Sequence, residues 1–285
     1  MNGSNGQKWT LEIKSKSGWF DLNLKEIWDY KDLVYMFVKR DFVSQYKQTI
    51  LGPLWYIIQP LVTTFLYSIV FGTIAQISTD GQPQILFYLT GLLLWNFFSS
   101  NLVKNSETFL ANSGMFGKVY FPRLTVPIST TISGFVALGI QLGLLLVVYV
   151  IFLFKGLECR INATLALFPL LMLLVCFMSL SLGIIISSMT TKYRDLKFLL
   201  AFGIQLAMWA TPVIYPMSQI NDSRLKLIIG FNPMAPIIET FRYSILGSGN
   251  FSWLAIGYST LFTVIVTMFA VVMFKKVEKD FIDSI

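Results

Sequence analysis

Glu239 and Arg242 stand at i and i+3 in an apolar segment, a spacing that lets a carboxylate and a guanidinium meet on one helix face. At membrane depth such a pair requires protein or water around it. Asn232 and Pro233 begin the same segment, and Asn followed by Pro is a helix start, with Asn as cap and Pro at the first position. These four residues form a candidate gate. A second group lies in "KNSETFLANSGMFGKVYFPR", 104–123, where Phe109, Leu110, Met115 and Phe116 are set between Glu107 and Lys118. Apolar knobs among polar residues suit docking onto a partner, and equally suit packing on the chain's own body. A third group is Arg40 and Asp41, inside a run that also holds Trp28, Phe37 and Tyr46.

What is missing narrows the chemistry. The chain has no His, which excludes His-dependent triads and zinc–His sites. Gly117-Lys118-Val119 lacks the hydroxyl residue and the preceding glycine of a phosphate-binding loop, so no ATP hydrolysis is expected on this chain. No charge falls in the middle of a long apolar run, and no inverted repeat is visible, which argues against an ion-coupled carrier. No metal site is expected.

The elements that must position these residues are membrane helices. The 285 residues are 55% hydrophobic and 13% charged, with mean hydropathy +0.65, whereas a soluble domain is about a quarter charged. The expected fold is an all-α integral membrane protein with six spans: 54–75, 85–103, 125–154, 164–189, 196–215 and 252–274. The segment 217–247 is broken by Asn232-Pro233 and Pro236, and neither half is long enough to span, so a re-entrant hairpin is expected between spans five and six. Residues 1–53 form a tail and an interface helix, 104–124 a connecting loop, and 275–285 a second tail. Residues 1–50 show no pattern of a cleavable signal.

With the N-terminus inside, the inside segments carry 17 Lys and Arg and the outside segments 5, which places both termini in the cytoplasm. The basic balance is then membrane topology, and no nucleic-acid partner is expected. Asn23 and Glu26 fit a capping box, and the helix behind them mixes aromatics with charges in an imperfect amphipathic pattern suited to the membrane surface. After Lys47 no charge appears until Asp80, and Gly52-Pro53 marks the elbow where that helix turns into the first span. Arg123 is expected at headgroup level. Cys159 and Cys176 fall at different depths, so no disulfide is expected. Tyr88, Trp95 and Trp209 are interface, packing or lumen rings, and Gln59, Gln141 and Gln205 are amides within the expected spans that could line the same path.

Five stretches, in this order, carry a resemblance: "RDFVSQYKQTILGPLWYIIQPL" (40–61), "KVYFPRLTVP" (118–127), "YRDLK" (193–197), "TPVIYP" (211–216) and "NPMAPIIETFR" (232–242). Together they resemble the permease subunits of ABC-type polysaccharide exporters over roughly residues 24–280. The resemblance implies a homodimer in the inner, cytoplasmic membrane. It implies two copies of a separate cytoplasmic ATPase, which would hold the ATP and Mg, with no cofactor in this chain. It implies that 105–118 is a coupling helix seated on that ATPase, and that 217–247 holds outer gate helices. The substrate it implies is a lipid-linked polysaccharide such as an O-antigen or a capsular or teichoic-acid polymer. The alternatives are a type-2 ABC permease for a small lipid or drug, and a non-transporting membrane scaffold.

Overall fold

The computed structural model describes residues 24–47, 49–158, 160–193 and 195–283, without the side chains of Leu24, Gln45, Tyr46 and 279–283. Asn23 of the expected capping box, the Tyr46 side chain and Cys159 therefore lie outside the described residues. Among the described residues every regular element is helical.

The chain opens with α1 (Leu24–Asp29) and α2 (Lys31–Tyr46). The elbow follows. Gly52 stands at φ +49°, its N–H donates to the Thr49 hydroxyl at 3.1 Å, and Pro53 starts a short 3-10 turn. Only glycine takes that backbone region without strain, and the proline suits the first turn. The 3-10 turn runs into α3 (Trp55–Tyr67), which widens into a π-helix over Ser68–Ile74. Gly72 in that stretch makes room for the Gln84 side chain, whose Oε1 accepts from Ser68 at 2.9 Å.

The next helix, α4 (Gln84–Ser106), is the centre of the bundle. It is apolar all round and its residues are buried from Leu86 to Trp95 without a break, as a helix enclosed on every side requires. Around it stand α3, α7 (Thr125–Phe154) and α8 (Phe168–Thr190, entered by a 3-10 turn at Ala163–Leu167), and α12 (Trp253–Asp283) packs on the flank of α8. The 30 residues of α7 would extend about 45 Å, beyond a hydrocarbon core of about 30 Å.

Among the described residues five helices are long and apolar enough to cross a membrane, where six spans were expected. The expected fifth span, 196–215, is helical only over α9 (Leu196–Trp209), about 21 Å long. The reason is Pro212: it lacks an N–H to continue the ladder and pushes residue 211 out of the helical region. The Thr211 hydroxyl turns back to donate to the Ala207 carbonyl at 2.6 Å and closes the end. All residues of α9 keep substantial exposure; none is buried.

Residues 217–247 fold as a 3-10 turn (Met217–Gln219), α10 (Ser223–Gly230) and α11 (Met234–Leu246), two helices too short to span. Asn232 caps α11: its Oδ1 accepts from Met234 N–H at 3.0 Å, with Pro233 in between. Its Nδ2 donates to the Thr211 hydroxyl at 2.7 Å and the Ala210 carbonyl at 3.1 Å, so one side chain joins the end of α9 to the start of α11. Gly247, at φ +69°, ends the helix in the left-handed region.

Both described ends of the chain lie at one end of the bundle, since α2 and the last turns of α12 share a cluster with α5 (Thr108–Ala111) and α6 (Ser113–Phe116). The turn at Asp80 and the α10–α11 pair lie at the opposite, far end, joined by the bond from Ser218 to Asp80 at 2.7 Å.

Candidate functional site

At the near end, rings form a continuous chain. Phe37 of α2 meets Phe121 at 5.9 Å, Phe121 meets Phe116 at 5.7 Å, Phe116 meets Phe109 at 6.1 Å, and Phe109 meets Phe274 of α12 at 5.4 Å. Edge-on and tilted rings at these separations add to the burial that brings them together. Of the two readings of 104–124, packing on the chain's own body is the one these rings follow. Phe109 and Phe116 are not knobs offered outward but buried links to Phe274 and Phe121, and Met115 is half-buried against the same cluster. Glu107, Leu110, Lys118, Val119 and Tyr120 are among the residues of this segment that remain exposed.

The interface helix joins the same cluster. Phe37 is buried, while Arg40 lies 4.7 Å over its ring and pairs with Asp41 at 2.8 Å. Trp28 is 72% exposed, and Tyr35, Met36 and Val43 share the outward surface with Lys39 and Arg40, so that surface is mixed rather than a clean stripe. Tyr120 donates to Glu26 at 3.3 Å; burial, together with the negative charge of that carboxylate, pushes the phenol above its ordinary value. Arg123 is buried rather than reaching outward, and donates to the Glu278 carbonyl at 3.0 Å. It ties the entrance of α7 to the end of α12.

Between α3, α4 and α7, in the near half of the bundle, lies a cavity of about 450 Å³. Gln59 and Gln141 both line it, joined by Asn96, Asn101 and Lys104, which sequence reasoning did not single out. An Asn inside an apolar run is the signal that could have found Asn96 and Asn101. The other four expected path residues are elsewhere. Tyr88 and Trp95 are buried in the core around α4, and Gln205 and the 53%-exposed Trp209 lie on the outside of α9.

At the far end Arg242 and Glu239 do pair, at 2.9 Å, with side chains 0% and 4% exposed. Protein surrounds them, not a water-filled mouth. Arg242 also donates to the carbonyls of Pro212 and Val213 at 3.0 and 3.2 Å and lies 3.7 Å over the Phe87 ring. Glu239 accepts from the Asn250 N–H at 3.1 Å. One guanidinium thus joins α11, α4 and the 211–216 turn. Gly91 on α4 lets that turn approach, since a Cβ there would stand 3.0 Å from both the guanidinium and the Val213 carbonyl.

Compared with known families, residues 32–246 match the ABC-2 type transporter, a stretch from α2 to the end of α11. The chain belongs to this family. It is similar to two proteins of Klebsiella pneumoniae named O-antigen export system permease protein RfbA, at 27% identity over 252 residues, 88% of this chain and 93% of each of those proteins. A protein of the same name from Myxococcus xanthus is 26% identical over 222 residues, 77% of this chain and 82% of that protein. As an ABC-2 permease the chain is a transporter's membrane subunit. The family match covers the near-end ring chain up to Phe121, the cavity and the Arg242 junction alike.

Proposed function

We propose that this chain is the permease subunit of an ATP-driven exporter that moves a lipid-linked polysaccharide of the O-antigen class across the cytoplasmic membrane, with both termini inside. The observation that carries the reading is the match to O-antigen export permeases over nearly the whole of both chains. Two copies assemble with two cytoplasmic ATPase subunits, which bind ATP and Mg. The unburied α9, with Phe198, Leu199 and Phe202 exposed, and the exposed flank of α3 supply apolar surface for lipid and for the second copy. Alpha9 with the turn after it completes a sixth crossing, and α10–α11 enters and leaves the outer leaflet as a re-entrant pair.

Coupling runs through the near end. Glu107, Leu110 and Lys118 form the outward side of the 104–124 segment and meet the ATPase. Motion there passes along the rings to α2 and α12, which shift as near-rigid bodies. Alpha1 and α2 lie on the inner membrane surface, with Trp28 of α1 toward lipid. The first test is deletion of the gene, followed by analysis of undecaprenyl-linked glycan. Accumulation inside the cell, relieved by the intact chain, is expected; normal surface glycan without accumulation would refute the reading. Leu110→Glu, on a residue only partly covered, should release the ATPase on purification while leaving the permease folded. Unchanged assembly and export would remove the coupling assignment.

A further inference from the structure

We infer that the cavity between α3, α4 and α7 is a binding site for the phosphate-and-sugar headgroup of the lipid carrier, in the half of the membrane nearest the chain termini. The inference rests on the proposed function and gives it a location within one protomer.

Three observations carry it. The first is Asn101. It is 1% exposed and forms part of the cavity wall, yet among the described residues neither its amide oxygen nor its amide nitrogen has a hydrogen-bond partner. Buried amides are nearly always bonded, and an exception asks for a missing partner. Gly134 on α7 leaves the amide its space, since a Cβ there would collide with it. The second is the order of chemistry along the cavity. Lys104 lines both this cavity and a second of about 320 Å³ at the near end, where Arg40 stands with Asp41 and Glu107 in the same wall, and Tyr56 is likewise common to both. Deeper in the first cavity there is no charge; Gln59, Asn101 and Gln141 are neutral donors and acceptors. A cation followed by amides matches a phosphate followed by sugar hydroxyls. The third is size and wall. About 450 Å³ falls in the range of small-molecule sites, and Trp55 and Tyr56 offer flat, amphipathic faces.

A phospholipid headgroup shares the phosphate chemistry, so the experiment must separate the two. Purified chain in detergent is titrated with farnesyl diphosphate-linked N-acetylglucosamine, with farnesyl diphosphate alone, and with short-chain phosphatidylglycerol. The sugar-bearing probe should bind at least tenfold more tightly than the other two. Lys104→Met should weaken both farnesyl probes by about tenfold or more. Asn101→Leu should weaken only the sugar-bearing probe, to the level of the diphosphate alone, and should leave the melting temperature unchanged or raised, because it removes a buried unpaired amide. A purely structural Asn101 would instead lower the melting temperature. Equal binding of all three probes, no binding by the native chain, or native affinity in both variants would overturn the site. If the variants bind and export normally while gene deletion still causes glycan to accumulate, the site is lost and the proposed function stands. If deletion causes no accumulation, the function itself falls.

Discussion

Arg242 offers a test whose size can be worked out from its neighbours. In Arg242→Met the guanidinium disappears from between α11, α4 and the 211–216 turn. Glu239 then keeps the Asn250 N–H but loses its cation, and the carbonyls of Pro212 and Val213 lose their donor. Breaking a buried ion pair by removing one partner costs about 3–5 kcal/mol, because the other charge is left uncompensated. The lost contact with the Phe87 ring adds about 1–2 kcal/mol, as the site is fully desolvated. Glu239→Gln keeps an acceptor for Arg242 but strands the positive charge, so it too should cost about 3 kcal/mol. The double variant holds no unpaired charge and should cost at least about 2 kcal/mol less than the sum of the singles, a coupling expected for residues in contact. Unfolding of the purified chain in SDS, followed by tryptophan fluorescence, measures all three. Additive effects, or singles each below about 1 kcal/mol, would refute a compensated buried pair and favour a water-exposed one.

Three further outcomes follow from the geometry. Gly52→Ala meets no atom within 4 Å, so backbone strain alone should destabilise the chain by about 1–2 kcal/mol, and a neutral melting curve would contradict the left-handed elbow. Gly134→Ala should cost about 1–3 kcal/mol by overpacking against Asn101, and Asn101→Ala in the same chain should relieve it; additivity of the two would show that they do not touch. Phe116→Ala should lose about 3–5 kcal/mol, whereas Leu110→Ala should stay near about 0.5 kcal/mol, and equal effects on thermal melting would break the ring chain.

Some local features were legible because local chemistry decides them. The Asn232 cap, the Gly52 elbow and the Glu239–Arg242 pairing depend on residues within a few positions, and backbone preference and helical spacing are enough to find them. The end of α9 was misjudged because hydropathy continues to Tyr215, while Pro212 stops the helix on steric grounds that an apolar window does not register. The five long apolar helices all begin within two residues of their expected starts, since length and apolarity alone set them.

The inward and outward faces were a different matter. In a soluble helix the polar stripe points away from the core, so the period of the sequence reveals the buried side. In a membrane helix lipid and protein interior are equally apolar, and that signal disappears. Nothing in 104–124 says that Phe109 and Phe116 turn toward Phe274 and Phe121 while Leu110 faces out; burial there comes from helices distant in the chain. The same holds for the cavity, whose polar residues come from three helices and meet only when those helices pack. The sequence by itself determined a helical membrane permease, its elbow and its charged pair. Tertiary structure alone decided that the pair is a buried junction, that the rings are internal links, and that Asn101, Gln59, Gln141 and Lys104 share one space.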